Sequence, residues 1–359
     1  ITFAKDVIPA TPLSHRNMII NGAMSVYQRL AVNTEVAATN NGTFSADRFR
    51  FWSNVGSSLP ESQVRNDDAP AGFNFSWKRT TNSASSIASS SYDAVLTKIE
   101  GYDIAHLNFG TSNAKTVTFS FYVKSSIAGT FSIMFANADN SRVLLKEYTV
   151  NSANTWERKT ITFTGATDGT WNIGNGLGLT ILFGLGYGSN YTSSTVNSWL
   201  SSAKYQTTSS STAIATTNGA TFQLTGLQLE LGSVATPFEH RSYADELRRC
   251  QRYYIQFSGT LFSVPQNDNH TSRVMNVHPI EMRATPTVDT TNSTDHFRAY
   301  AQGSAIAFPT FTSTHMAHKK GIILGATIAN NSLQNSGSYI TSYYNASTGV
   351  GTVSLDAEL

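Results

Sequence analysis

The stretch Phe222–Tyr254, FQLTGLQLELGSVATPFEHRSYADELRRCQRYY, decides how this chain is read, because a strand, a turn and a helix follow one another within it. Phe222 and Leu224 share one strand face, while Leu227, Leu229 and Leu231 alternate out of phase with them. With a side-chain period of two, that slip needs one extra residue, and Thr225-Gly226 is where a bulge fits. Gly232-Ser233 and Thr236-Pro237 then end the strand, since proline removes a ladder donor. Ser242 reads as the N-cap of a helix, with Asp245 and Glu246 in the first turn, where the dipole favours negative charge.

Beyond this hinge the pattern is that of short strands. Thr116–Lys124 alternates Val117, Phe119, Phe121 and Val123 against Thr118, Ser120 and Tyr122, which makes a half-buried strand. Phe131, Ile133 and Phe135 repeat it after a turn at Ala128-Gly129. Further strands are expected at Arg48–Ser53, Phe73–Arg79, Leu96–Ile104, Val143–Val150, Trp156–Phe163 and Leu177–Leu185. Such a run with no helix has the statistics of a sandwich. The expectation is an all-β chain: an extended lead-in over 1–17, a jelly-roll β-sandwich over 18–240, a linking helix over 241–257 and a smaller C-terminal β-domain over 258–359. Ser83–Ser91 is a polar stretch, and Gly188–Gly219 reads as a long insertion loop.

The residues around the hinge also resemble the signature LQLE-G-x-x-x-T-P-F-E-x-R-(S/P)-x-x-x-E-L-x-x-C-x-R-Y-(Y/F) of bacteriophage tail-fibre and related virion fibre proteins, of the marine-phage type. Arg16–Arg29 (RNMIINGAMSVYQR), Pro279–Val288 (PIEMRATPTV) and Asp356–Leu359 (DAEL) resemble that family's opening, C-terminal-domain entry and chain end. The resemblance implies a receptor-binding fibre protein located in the virion, with a jelly roll of the carbohydrate-binding-module type. It also implies a homotrimer, contact with other virion proteins through the N-terminus, and a host surface glycan or lipopolysaccharide as partner.

The helix bears on the trimer. Tyr243, Leu247, Cys250 and Tyr254 form a narrow apolar seam. A helix of about three turns is marginal alone in water. The seam therefore either meets identical helices on a three-fold axis or docks on the chain's own C-terminal domain.

Composition narrows the function further. Charged residues are 13% and the net charge is +2, with no basic block, so there is little to neutralise phosphates and nucleic-acid binding is not expected. One cysteine excludes an internal disulfide, and no apolar run is long enough to insert in a membrane as a helix. No nucleophile elbow, Walker loop or HExxH motif is present, so no cofactor is expected. Gly174–Gly178 leads into a strand, which leaves no helix N-terminus for a phosphate. Asp67-Asp68 with Glu61 is a weak carboxylate pair, since adjacent strand residues face opposite ways. Asn137–Ser141 reads as a hairpin turn before a calcium loop, and His315 with His318 as part of a surface loop before a metal pair.

The aromatic residues carry the functional expectation. Trp52 and Trp77 sit inside strands and read as core. Trp171, Tyr187, Tyr191, Trp199 and Tyr205 lie in or beside Gly/Ser/Asn-rich loops. They read either as a glycan platform or as pins for their own loops and contacts to a neighbouring subunit. Host attachment without catalysis is the leading expectation; a structural capsid or tail decoration protein and a polysaccharide depolymerase are the alternatives.

Overall fold

The computed structural model describes residues 15–29, 33–37, 42–55, 61–202, 206–257, 260–264, 271–291, 296–301, 304–308, 310–311, 313–327, 339–342, 344–345 and 349–359. Most of the expected lead-in, together with Tyr205 and the side chains of Glu61 and His315, lies outside the described residues. The chain divides into two compact units, Ile1–Glu246 with Leu359, and Leu247–Glu358.

The first unit is a jelly-roll sandwich of two antiparallel sheets. Its strands are β1 (Val36–Ala37), β2 (Thr43–Ala46), β3 (Phe49–Ser53), β4 (Glu61–Asn66), β5 (Ser76–Thr81), β6 (Tyr92–Glu100), β7 (Thr116–Ser125), β8 (Gly129–Ala136), β9 (Val143–Val150), β10 (Glu157–Thr164), β11 (Leu177–Tyr187), β12 (Thr192–Ser193), β13 (Trp199–Leu200), β14 (Thr207–Thr208) and β15 (Thr221–Leu231). The six-stranded sheet runs β1-β4-β5-β15-β7-β10, and the seven-stranded sheet β13-β9-β8-β11-β6-β3-β2. The chain passes repeatedly between them, as a jelly roll requires.

Alternation fills the space between the sheets with Phe119 and Phe121 from β7, Phe131 and Phe135 from β8, Phe183 from β11, and Trp77 from β5. Each such ring contributes roughly 1.5–3 kcal/mol when fully buried. The same interior holds an ion pair the sequence pattern did not show. Arg79 Nη2 donates to Asp93 Oδ2 at 2.7 Å with both side chains fully buried, and Arg79 Nη1 donates to Thr81 Oγ1.

The bulge falls where the phase slip places it. Pairing of β15 with β7 shifts between Thr225 and Gln228, and Gly226 takes φ +63°. Phe222, Leu224, Leu227 and Leu229 consequently all face one core. Strand β5 pairs with β15 only over Thr221–Leu224, which leaves the edge at Leu227 and Leu229 to be satisfied otherwise. The Arg16–Arg29 segment does this. Leu227 N donates to the Gly22 carbonyl, Met18 N to the Leu229 carbonyl, Asn17 Nδ2 to the Leu227 carbonyl, and Leu229 N to Asn17 Oδ1. Gly22 has to be glycine, because a Cβ there would lie 2.1 Å from the Leu227 carbonyl oxygen.

Three expected elements differ. The strand expected over Leu96–Ile104 starts earlier and ends at Glu100, and Gly101–Ile104 turns as the one-turn helix α1. Gly101 and Gly178 lie too close for a side chain on either, since a Cβ on Gly178 would sit 2.8 Å from Gly101 Cα. Of Phe73–Arg79, only the part from Ser76 is strand; Phe73 packs against Phe238 instead. The insertion Gly188–Gly219 contains β12, β13 and β14, with β13 pairing onto the edge of the seven-stranded sheet.

Helix α2 runs Tyr243–Gln251. Ser242 caps it as expected, with Oγ accepting from Asp245 N at 3.2 Å. It ends before Tyr254, which opens a strand, so the four-residue seam is not one helical face. Cys250 is fully buried and Tyr254 is 7% exposed, whereas Tyr243 is 61% exposed and Leu247 half-buried.

The second unit is also antiparallel β. Its strands are β16 (Tyr254–Phe257), β17 (Thr260–Val264), β18 (Thr271–Val277), β19 (Thr287–Thr290), β20 (Phe297–Ala301), β21 (Ser304–Phe308), β22 (Ser313–His318), β23 (Gly321–Thr327), β24 (Tyr339–Ser342), β25 (Tyr344–Asn345), β26 (Gly349–Val350) and β27 (Val353–Asp356). They form sheets β16-β27-β19, β21-β20-β24-β17-β18-β23-β22 and β25-β26 over a core of Ile255, Met282, Phe297, Phe311, Ile322, Leu324, Val353 and Leu355. His315 and His318 lie on strand β22 rather than on a loop or helix.

Candidate functional site

The face of the seven-stranded sheet that points away from the core is itself apolar. Alternation puts Phe49 and Phe51 of β3 inward and Arg50 and Trp52 outward; on β6, Val95 and Ile99 face in while Ala94, Leu96 and Lys98 face out. Met134 and Ala136 of β8, Val143 and Leu145 of β9 and Leu182 of β11 continue this outer apolar surface, with Trp52, Tyr187 and Leu200 packed on it. Strand β14 folds back over part of the surface, where Thr207 Oγ1 meets Ser132 Oγ of β8.

What stays open is a groove of about 250 Å³. Leu96, Met134, Leu177 and Leu182 line its apolar part; Arg50, Trp52, Lys98, Asn140, Thr180 and Gln206 supply rings, cations, amides and a hydroxyl. Gln206 is held by its backbone N–H, which donates to the Tyr191 carbonyl at 2.8 Å, while its buried side-chain Oε1 has no hydrogen-bond partner among the described residues. Trp52 continues into an aromatic run: its ring centroid lies 4.3 Å from that of Tyr92, Tyr92 lies 6.3 Å from Tyr191, and Tyr191 lies 6.0 Å from Tyr187. Burial raises the Tyr92 hydroxyl above its ordinary value and the Tyr187 hydroxyl well above it, so both stay neutral.

The five aromatics singled out from sequence divide in two. Tyr187 and Tyr191 join Trp52 and Tyr92 on the outer face, and Tyr205 lies outside the described residues. Trp171 and Trp199 are elsewhere. Trp171 is only 8% exposed, its ring edge-on to Phe109 and to Trp199 at 5.1 and 5.6 Å, and its Nε1 donates to the Asp168 carbonyl. Trp199 donates from Nε1 to the Thr164 carbonyl at 2.9 Å and packs on the main core. Trp199 thus bridges the edge strands β13 and β10 of the two sheets, because its part of the insertion pairs onto the sheet, and Trp171 packs beside it.

Sequence reasoning placed Trp52 in the core, and the structure corrects this. The signal was present in Phe49-Arg50-Phe51-Trp52, where an arginine shares the phase of the tryptophan. Trp77 is fully buried as expected.

The weaker candidates resolve individually. Burial works against ionising Asp68, but hydrogen bonds from Lys124, Trp156 and Gln223 outweigh it and hold the carboxyl below its usual range. Asn137–Ser141 is a hairpin turn that uses its own polar groups: Asp139 Oδ1 accepts from Ser141 N and Asn137 Oδ1 from Arg142 N, both at 3.0 Å. Among the described residues no group of His, Cys, Asp and Glu is arranged to hold a metal ion, and no helix is long and apolar enough to cross a membrane.

No family model and no curated protein matches the chain. Among solved structures, it is similar to the enzymatically active domain of tailspike protein 4 of bacteriophage CBA120, with a TM-score of 0.33 and 10% identity over 60% of this chain and 21% of that one. It is also similar to the family 11 carbohydrate-binding module of Clostridium thermocellum in complex with a mixed-linked tetrasaccharide, with a TM-score of 0.29 and 13% identity over 58% of this chain and 100% of that one. The module TmCBM61, in complex with β-1,4-galactotriose, gives a TM-score of 0.29 and 10% identity over 60% and 99%. The chain spans about a fifth of the tailspike chain.

Proposed function

We propose that the outer-face groove binds a carbohydrate and that the chain uses it, without catalysis, to attach a viral fibre to a host surface glycan or lipopolysaccharide. The observation that carries the binding is the joining of an aromatic wall at Trp52 and Tyr92 to an apolar floor, with Arg50, Lys98, Asn140, Thr180 and Gln206 supplying polar groups around it. Flat rings take the C–H faces of a sugar, while amides, hydroxyls and cations take its oxygens.

Hydrolysis needs two carboxyl groups flanking the scissile bond. The described groove lining contains Arg50 and Lys98 but no Asp or Glu, which supports binding over cleavage.

The virion setting rests on the sequence signature, and the parts of it that lie in the first unit bond to one another. Glu239 Oε2 accepts from Asn17 N at 2.9 Å, Arg241 donates to the Asn17 and Ile19 carbonyls, and Glu246 accepts from Asn21 N. A homotrimer belongs to this reading, with Tyr243 and Leu247 as the helix residues left to make it once Cys250 and Tyr254 are buried. A screen of the full chain against oligosaccharides, lipopolysaccharides and host cells tests the reading, with saturable binding to a glycan expected. Adsorption to cells that survives removal of every surface glycan would overturn it.

A further inference from the structure

A second cavity in the first unit, of about 460 Å³, is built from different parts: Ala23–Tyr27, Arg65 of β4, Gly72–Phe75 and the Phe238–Glu246 stretch. Its distinctive group is Arg65. The guanidinium lies 4.3 Å from the Phe75 ring centroid and 5.4 Å from that of Tyr27. Nη1 donates to the Ser25 carbonyl at 2.9 Å, and Nε is buried with no hydrogen-bond partner among the described residues.

The carboxylates that could neutralise it are engaged elsewhere. Asp47 takes an ion pair from Arg29 at 3.3 Å and a hydrogen bond from Gln28 N, and Glu246 takes Arg241 and Asn21 N. Among the described residues, then, Arg65 is a cation in an aromatic cavity with no carboxylate in ion-pair contact. Arg241, the other lining cation, is paired with Glu239 and Glu246. Guanidinium stays charged when half-buried, so the cavity favours an anion that can reach it.

The remaining lining says which anion. Phe73, Phe238 and His240 form a mutually packed aromatic group with centroids 4.9–5.2 Å apart, and exposed Tyr243 also lines the cavity. Rings of this kind take an apolar ring face, Asn74 offers an amide for hydroxyls, and one unpaired guanidinium matches one carboxylate through its fork of donors. The volume lies within the usual small-molecule range of about 300–1,000 Å³. We propose that this cavity is a binding site for a uronic acid, with the carboxylate held by Arg65 and the sugar ring against the Phe73–Phe238–His240 group. The site stands independently of the outer-face groove.

The test is calorimetric titration of the full chain in a Trp52→Ala background, so that the groove does not report, with a galacturonate trisaccharide and its uncharged methyl ester as probes. The acid is expected to bind at least tenfold more tightly than the ester, and Arg65→Gln to remove that preference. Asn74→Ala, at an exposed position outside the core, should weaken the acid severalfold with the fold intact, and it serves if Arg65→Gln fails to fold. Failure to bind the acid, equal binding of acid and ester, indifference to both substitutions, or preference for inorganic phosphate or a peptide C-terminus would each overturn the assignment. Loss of groove binding in the parent Trp52→Ala chain bears only on the groove.

Discussion

The Trp52 and Tyr92 rings meet with centroids 4.3 Å apart on the face of the seven-stranded sheet turned away from the core. They come from the paired strands β3 and β6, whose register sets Trp52 opposite Ala94. The aromatic wall is thus carried by the sheet, and its geometry does not depend on a loop. Rigid placement of rings lowers the ordering cost of binding.

Trp171 provides the contrast. Because its ring is buried against Phe109 and Trp199, Trp171→Ala is expected to cost about 3–5 kcal/mol of stability, the usual range for a deleted core aromatic. Denaturant titration should show this loss, while the folded fraction keeps wild-type glycan affinity.

The Arg79–Asp93 pair is fully buried, so removing one partner leaves a charge in the interior. Arg79→Met should destabilise by roughly 3–5 kcal/mol, and the double variant Arg79→Met/Asp93→Leu should regain most of that. A double variant whose loss equals the sum of those of Arg79→Met and Asp93→Leu alone would show that the pair is not coupled.

At the bulge, Gly226 holds φ +63°, and a Cβ there would lie 2.7 Å from Phe73 Cζ. Gly226→Ala is expected to cost about 2 kcal/mol from backbone strain and the displaced ring, which lowers the melting temperature by roughly 4–8 °C. Calorimetry of the variant checks it.

The second unit should be sensitive to acid through His278. Burial lowers the pKa of this imidazole, and the His318 charge adds to that, against a hydrogen bond to the Lys319 carbonyl that raises it; the net value lies below the ordinary 6.5. The unfolded chain then binds a proton that the folded chain refuses. This contribution to stability is present above pH 6.5 and is lost as pH falls from there through the folded value. Protection factors at Ile322 and Leu324, taken against the intrinsic exchange rate at each pH, should fall over that window, and His278→Gln should flatten the dependence.

Much of the fold was legible because strand alternation is a local property. Phe119, Phe121, Phe131 and Phe135 declared their face from neighbours two residues away, and the phase slip at Thr225-Gly226 located the bulge. The signature segments also correspond to long-range contacts: Asn17 meets Leu227 and Leu229, and Arg283 donates to the Ala357 and Glu358 carbonyls. What was not legible depends on how strands pair. The groove brings together Trp52, Lys98, Met134, Thr180 and Gln206 from five parts of the chain, and no spacing encodes that. The insertion misled because its polar composition looked solvated, whereas its hydroxyls meet the sheet at Ser132 and Glu147.

The most direct test of the groove is the affinity of the wild-type and Trp52→Ala chains for one oligosaccharide identified by screening, measured by titration calorimetry beside a thermal melt. The account predicts a loss of about 2 kcal/mol or more, roughly thirtyfold in Kd, with the melting temperature close to wild type. Unchanged affinity in a folded Trp52→Ala chain would contradict it.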